Sequence, residues 1–561
     1  MTNLYNLAKS GLTAAQVGLA TTGNNIANVN TPGYSRQQVV LSTAGGGTSA
    51  NGHYSGRGVQ VDLVRRVYDA FLSNQYNAAT ASTASLATQS TQISRIDNLL
   101  ADRTVGLAPA ITFFFEGVNA VASKPQDSAS RAEMLARAEN LTTQFRNLND
   151  FLVTQREGLN QEISTTVDQI NSYAQRIHDL NVQIRIARAT VNGSQPPNDL
   201  LDQRDRLVTE LNELVGVNAI EQDGDIMLTL GNGIVLLGGG TVYQLAAVMS
   251  DADPTRVVVA QTLPNGAQVQ LDDRALSGGQ LGGLLQFRVE ALDPVQNELG
   301  RMALVLAHAF NAQHEQGVDL AGQPGGPFFS IPSEIHAISN YKNADPTGTF
   351  SVTIVDSSKL TTSDYQITYD PQVDSAAPFK VVRLSDGQSW SFADLEGQVI
   401  DGFEFGPMPA TLADGDSFLL QPTRNAAGDI GVAIKDPAKI AAADADGGSA
   451  NGANALALAR LQTAKIVGGE NLPAGQGTMS LTEAFSQMVN GVGVKTQAIN
   501  TALGAQQSLK DQSYAAQQAV SGVNLNEEYI NLDMYVQYYQ ASARLIEVAT
   551  TLFDTLLGLR T

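Results

Sequence analysis

Five histidines, His53, His178, His308, His314 and His336, are the side chains best suited here to proton transfer or metal ligation. His308 and His314 lie six apart, which on a helix leaves them about 120° from sharing a face. No HExxH and no matching carboxylate accompanies them, so they read as solvated or capping histidines. Gly231-Asn232-Gly233 and Gly238-Gly239-Gly240 invite a phosphate-loop reading, but Leu236 breaks the GxGxxG spacing and no Walker lysine follows. Asp444-Ala445-Asp446-Gly447 shares only its opening with a calcium loop; the Gly at position six and the Glu at position twelve are missing. Asp272-Asp273 and Glu527-Glu528 are carboxylate pairs of the kind found on solvated faces and in first helical turns. No GxSxG elbow and no triad spacing occurs. Cysteine is absent, which excludes disulfides, thiolate metal ligands and a thiol nucleophile. The expectation is a non-enzyme with no catalytic, metal or cofactor residues and no cofactor.

What the chain does carry is apolar patterning at its two ends. Tyr5, Ala8, Leu12, Ala15, Leu19, Thr22, Ile26 and Val29 step by alternating threes and fours. Leu525, Tyr529, Leu532, Val536, Tyr539, Ala543, Ile546, Thr550, Phe553 and Leu557 do the same more than five hundred residues later. Such steps place residues on one helix face, and the seven-residue repeat makes that face a coiled-coil seam. Neither helix alone has anywhere to bury its stripe, so each must meet the other end or a neighbouring copy.

The whole sequence supports the same view. Net charge is −21, which argues against a nucleic-acid surface and against binding to anionic lipid. Hydrophobic content of 43% supports a sizeable core, and the 6% aromatic share makes that core mostly aliphatic and alanine-rich. At 561 residues the length prior is three or four domains. The first residues lack the charged and apolar segments of a cleavable signal peptide, and no run reaches membrane-span length.

Along the chain, the Gly/Ser/Thr/Asn stretch 42–58 reads as flexible. Helical pattern dominates 66–102, 127–191 and 198–215, broken at Pro196-Pro197. In 127–191 a stripe runs Leu141, Phe145, Leu148, Leu152, Leu159, Ile163, Ile170, Tyr173, Ile177, Ile184. Residues 217–275 are β-rich, with Asn232-Gly233 as a hairpin signal. Helix returns at 278–316, and short strands separated by turn residues over 350–430 suggest a small all-β module. Asn454 reads as an N-cap, Ser480 with Glu483 as a capping box, and the last helix spans about 524–558. The expected fold class is α+β multidomain: terminal coiled-coil helices, an inner helical bundle with a β-hairpin region, and an inserted all-β module. Expected domain limits are 1–45 with 520–561 for terminal assembly, 46–344 with 431–519 for the helical domain (β-rich near 217–275), and 345–430 for the module.

SGLTAAQVGLATTGNNIANVNTPGYSRQ, residues 10–37, resembles the N-terminal motif of the flagellar rod, hook and hook-associated protein family. Its asparagines favour turns and caps, and Thr31-Pro32-Gly33 ends the helix. SGRGVQVDLVRRVYDAFLSNQ (55–75) and NDLLDQRDRLVTELNELVGV (198–217) resemble the branch of that family found at the hook–filament junction. So do the blocks at 278–322 and 521–557. The resemblance implies a structural subunit of a ring joining hook to filament, assembled through its terminal helices. It places the interface at Tyr5, Leu12, Leu19, Ile26, Asn28, Pro32, Gly33, Tyr34, Leu525, Leu532, Val536, Tyr539, Ile546, Phe553 and Leu557. Implied partners are further copies of itself, the hook protein, the next junction protein, and a cytosolic export chaperone on the C-terminal helix, with no nucleic acid and no membrane insertion. It also implies type III export from the cytoplasm to the extracellular flagellum. Alternatives are a rod or hook subunit, a wall-cutting hydrolase anchored by a coiled coil, and a secreted adhesin reading its target with the β module.

Overall fold

A computed structural model describes residues 2–48, 54–100, 106–190, 195–222, 224–231, 233–445, 447–470 and 472–558. Helix α1 (Thr2–Ala27) opens the chain. A twisted ribbon follows, in which β1 (Gln37–Thr43) and β2 (Gly46–Thr48) return as β3 (Tyr54–Gly56) and β4 (Val59–Arg66). The pairing is antiparallel, Gln37 opposite Arg66 and Thr43 opposite Val59, with a register shift after Val40. Parts of the 42–58 stretch expected to be a flexible linker, Ser42–Thr43, Gly46–Thr48 and Tyr54–Gly56, are therefore paired strand; the apolar Val39, Leu41, Val59 and Val61 on either side suit a pleated ribbon that draws the stretch between them into pairing. His53 lies outside the described residues.

The helical body is built from α2 (Ala70–Leu100), α3 (Leu107–Ser123), α4 (Ser128–Thr190) and α5 (Asn198–Leu214). At 63 residues, α4 is a spine roughly 95 Å long. The stripe expected on it is buried from Leu141 to Ile184, with Tyr173 partly covered. Strands β5 (Val217–Gln222), β6 (Asp225–Leu230), β7 (Ile234–Gly238) and β8 (Thr241–Val242) form a meander. The β6–β7 hairpin turns where Asn232 was expected to turn it, although Asn232 itself lies outside the described residues. A second meander joins β9 (Leu245–Met249), β10 (Val257–Thr262) and β11 (Gln268–Gln270).

Helix α6 (Gly279–Phe287) passes through a π-helical turn at Arg288–Leu292 into α7 (Asp293–His314). The aliphatic core contains one aromatic knot, in which Phe114, Phe310, Phe328 and Phe329 stack within 4.8 to 6.1 Å. His314 is fully buried beside it. It donates from Nδ1 to the Gly326 carbonyl at 2.7 Å and accepts at Nε2 from the Ala441 amide at 2.9 Å, so it is a structural tie rather than a solvated or capping group. His308 is also largely shielded, and burial pushes both imidazoles below their ordinary pKa.

Short strands β12 (Gly317–Val318) and β13 (Phe329–Ser330) lead into the β module. One of its sheets orders β14 (Glu334–His336), β16 (Ser351–Ile354), β21 (Phe403–Phe405) and β20 (Val399–Ile400). The other orders β15 (Ile338–Ser339), β22 (Ser417–Leu420), β17 (Tyr365–Tyr369), β18 (Phe379–Arg383) and β19 (Ser389–Phe392). Both sheets share a core containing Val352, Tyr365, Val381, Phe403 and Leu420. A buried ion network ties the module to the helical body. Asp293 accepts from Arg156 at 2.7 Å and from Arg424 at 3.2 Å, and Arg424 also grips Asp364. Burial pushes Asp293 up, but Arg424, Arg156 and Arg256 outweigh it and hold the carboxyl below its ordinary pKa.

The chain returns through α8 (Ala426–Asp429), β23 (Gly431–Val432) and β24 (Ala443–Asp444) to α9 (Ala453–Arg460). Asn454 does not cap α9, as the sequence suggested. It lies inside the helix and donates to Ala441 O at 2.7 Å, while Asn451 accepts from the Ala453 amide. The Ser480–Glu483 capping box does open α10 (Leu481–Ser521). After a sharp bend at Gly522 the chain ends in α11 (Leu525–Gly558). The fold is mixed α+β, with long helices at both ends and a multi-sheet β region between them.

Candidate assembly interface

The two termini pack as an antiparallel helix pair in one fixed register. Gly11 faces Ser542, Gly18 faces Tyr535 and Asn25 faces Glu528, seven residues per step on each helix. The close approach depends on small side chains. A Cβ on Gly18 would lie 2.6 Å from the Tyr535 ring, and one on Gly11 would lie 2.7 Å from Ser542 Oγ. Glycine inside a helix costs about 1 kcal/mol relative to alanine, and here that cost gives the helices room to meet. Ala8, Ala14, Ala15, Thr21 and Thr22 complete the buried face of α1, and Ala549 continues the α11 seam.

At the inner end, Asn25 is only 1% exposed and every hydrogen-bonding position of its amide is used. Its Nδ2 donates to Gln37 O at 2.9 Å and to Glu528 Oε2 at 3.1 Å. Its Oδ1 accepts from Gln37 N at 2.9 Å and from Tyr34 Oη at 2.8 Å. One side chain thus joins α1, the turn after it, the first strand and the last helix. Glu528 is answered by Arg36 Nε at 2.7 Å, and Arg36 Nη1 reaches Glu527 at 2.7 Å. Burial, with Asp202, Asp199 and Glu528 nearby, pushes the Tyr34 phenol well above its usual pKa, so it remains a donor.

The turn itself is a nest of asparagine and threonine bonds. Asn28 Nδ2 donates to Asn24 O and Oδ1, and Thr31 Oγ1 donates to Asn28 Oδ1. Gly33 takes φ +79°, a left-handed conformation that favours glycine, against the aliphatic part of Arg206. Beyond the turn, the Ser35 amide donates to Asp202, and Arg66 pairs with Asp202 and Asp205 at 3.1 and 2.6 Å. Burial raises Asp202 despite those partners. The Arg36 amide donates to Ser521 O, so both strands of chain leaving the helix pair are pinned where they enter the body.

The residues singled out from sequence are at most partly covered by this intramolecular seam. Tyr5, Pro32, Gly33, Leu525, Val536, Tyr539 and Phe553 are exposed. Leu12, Leu19, Ile26, Asn28, Tyr34, Leu532 and Ile546 are half-buried. The side chain of Leu557 lies outside the described residues. On α11 the covered line, Glu528, Tyr535, Ser542 and Ala549, runs down the middle of a much wider apolar face. Tyr529 (56% exposed), Val536, Tyr539 and Phe553 lie to one side of it, and Tyr538, Leu545 and Leu552 to the other. Sequence reasoning missed Gly11, Gly18, Arg36 and Ser542, took Asn25 only as part of the turn after α1, and read Glu528 only as one of a first-turn carboxylate pair. The available signal was the seven-residue spacing of small residues at 11 and 18 and at 8, 15 and 22.

Among the described residues no group of His, Asp and Glu is placed to hold a metal ion, and no helix is long and apolar enough to cross a membrane. Three stretches match family models: residues 93–329 the flagellar hook-associated protein FlgK helical domain, 338–422 the flagellar hook-associated protein 1 D2-like domain, and 6–34 the flagella basal body rod protein. Flagellar hook-associated protein 1 of Salmonella typhimurium is 41% identical over 575 residues, covering all of both chains. That of Escherichia coli K12 is 38% identical over 566 residues, again covering all of both. That of Bacillus subtilis is 27% identical over 353 residues, 58% of this chain and 69% of its own. The solved flagellar hook junction protein FlgK from Burkholderia pseudomallei superposes with a TM-score of 0.72 at 27% identity, covering 80% of this chain and all of that one.

Proposed function

The chain belongs to the flagellar hook-associated protein 1 family, structural proteins of the hook–filament junction, and we propose that it builds that junction as a ring of identical copies joined through the outer faces of α1 and α11. In this reading the terminal unit, 1–45 with 520–561, makes the assembly contacts. The helical domain, expected at 46–344 with 431–519, carries outward the module expected at 345–430, whose sheets take in strands from Glu334 onward. One end of the ring meets the hook protein and the other the next junction protein. The subunit acts as an adaptor, making and breaking no covalent bond. It leaves the cytoplasm by the flagellum's own export route and works outside the cell.

The observation that carries this reading is the uncovered width of α11. Tyr529, Val536, Tyr539, Leu545, Leu552 and Phe553 stand exposed on a helix whose seam α1 already occupies. Contiguous apolar surface of this kind marks a protein contact. Before export the same surface invites premature association, and a cytosolic chaperone on α11 would shield it. A strain lacking this chain should carry hooks without filaments and shed flagellin into the medium, and the wild-type chain should restore filaments. Normal filaments in the deletion strain would refute the function. A pull-down with residues 520–561 removed tests the chaperone; retained binding would place it elsewhere.

A further inference from the structure

We propose that the outer edge of β1, at Val39, Leu41 and Thr43, is a strand-addition site that takes an extended segment of a neighbouring copy of this chain. The proposal rests on the junction reading above and adds a second, backbone-mediated contact to the helix faces.

The direction of the edge follows from Asn25. Because the Asn25 amide pairs with both Gln37 N and Gln37 O, the backbone of Gln37 faces away from β4. Backbone direction alternates along a strand, so Val39, Leu41 and Thr43 face outward as well. The register shift falls on the other strand, where Asp62 is the extra residue between the partners of Val40 and Leu41. The Ala44 amide donates to Gly58 O, which confirms that even-numbered positions face β4. Among the described residues the outward backbone groups of Val39, Leu41 and Thr43 have no hydrogen-bond partner.

The opposite edge of the ribbon is covered at Val64, Asp62 and Val59. The Val64 amide donates to Gln195 Oε1, and Asn198 Nδ2 donates to Val64 O. Gln195 Nε2 reaches Asp62 O, and the Val59 amide donates to Ser10 Oγ. Side chains thus occupy the β4 edge and the first residue of the β1 edge, and the rest of β1 is open. Edge strands that must stay single are guarded by charge, proline or short length. The strand β1, QQVVLST, is seven residues long and has no charge and no proline.

Charge identifies the occupant as a second copy. The chain has 55 acidic residues and a net charge of −21, yet no Asp or Glu precedes Asp62. The same segment carries exposed Lys9 and Arg57, besides the Arg36 already paired with Glu527 and Glu528. Copies that met through their acidic remainder would repel one another; the segment before Asp62, with Lys9 and Arg57, is the part toward which another copy's acidic surface is attracted. A neighbour's extended segment other than its own β1 would meet this edge, so the contact joins unlike patches, the geometry that repeats around a ring.

The test places a benzophenone amino acid at Leu41 of the full chain, expressed in the deletion strain. Isolated flagella are irradiated beside a strain carrying the probe at Val536. An adduct of twice the chain's mass from position 41 is the expected result. No adduct, or an adduct with a different flagellar protein, overturns the proposal, while a dimer from position 536 leaves the junction reading intact. In parallel, Leu41→Pro removes an outward N–H without touching a bond to β4. The purified variant should keep its Tm within a few degrees while swarming falls at least tenfold; wild-type swarming by a folded variant would also overturn the proposal. Should Leu41→Pro fail to fold, the cross-link alone decides.

Discussion

Asn25 donates to Glu528 at 3.1 Å across 503 residues of sequence, the innermost contact of the terminal helix pair. Because the Asn25 amide is saturated, its loss would orphan several buried groups together. Asn25→Ala should cost the terminal unit about 1–3 kcal/mol, the usual penalty for unsatisfied buried polar groups. Asn25→Asp should cost more, because it sets a carboxylate against Glu528. Hydrogen exchange should show faster exchange before residue 45 and after 520, with the helical body unchanged.

Gly18 tests the packing register. Gly18→Val places carbon where the Tyr535 ring lies 2.6 Å from an added Cβ, so α1 and α11 should separate. Tyr535→Ala in the same chain should restore much of the pairing. Interhelix cross-linking between cysteines at positions 11 and 542 reads the outcome; additive losses with no rescue would show that the two side chains do not share the contact.

Arg424 joins Asp293 on α7 to Asp364 at the edge of the β module. Removing one partner of a buried ion network costs roughly 3–5 kcal/mol, because the remaining charge is left uncompensated. Arg424→Met should lower Tm and make the module's boundary a site of limited proteolysis. An unchanged Tm and cleavage pattern would place the connection between module and body elsewhere.

The buried histidines set a pH dependence. His308 and His314 have folded pKa values below the unfolded 6.5. Between the folded and unfolded values the unfolded chain binds more protons, so stability falls as pH drops below about 6.5 and is unaffected by these groups above it. Thermal melts from pH 7 to pH 5 should show a smaller decline in the double variant His308→Gln, His314→Gln than in the natural chain. An equal decline would assign the effect to carboxylates.

Elements with strong periodicity were legible in the sequence. The stripe on α4 is buried where its spacing said, because a long helix has one way to turn its apolar side inward. The Ser480–Glu483 box is equally local, since both partners lie within one turn. The seam between α1 and α11 was only half legible: apolar residues were visible, but the helices meet through Gly11, Gly18 and Asn25, whose value comes from what they leave room for or bond to at the other end of the chain. Arg156 and Arg424 were missed for a similar reason, since their carboxylate partners are brought to them by tertiary folding. Asn454 shows the converse. As a cap it satisfied a local rule, but a tertiary bond to Ala441 took its side chain.

Whether the uncovered face of α11 joins subunits is tested most directly by charging it without disturbing the fold. Val536 and Tyr539 are exposed, so Val536→Asp with Tyr539→Asp should leave the Tm of the purified chain within a few degrees of wild type. In an assembled interface each copy would bury two unpaired charges, costing several kcal/mol per subunit. Electron microscopy of the deletion strain expressing this variant should show hooks without filaments and flagellin in the medium. Full-length, firmly attached filaments on cells expressing the folded variant would contradict assembly through this face.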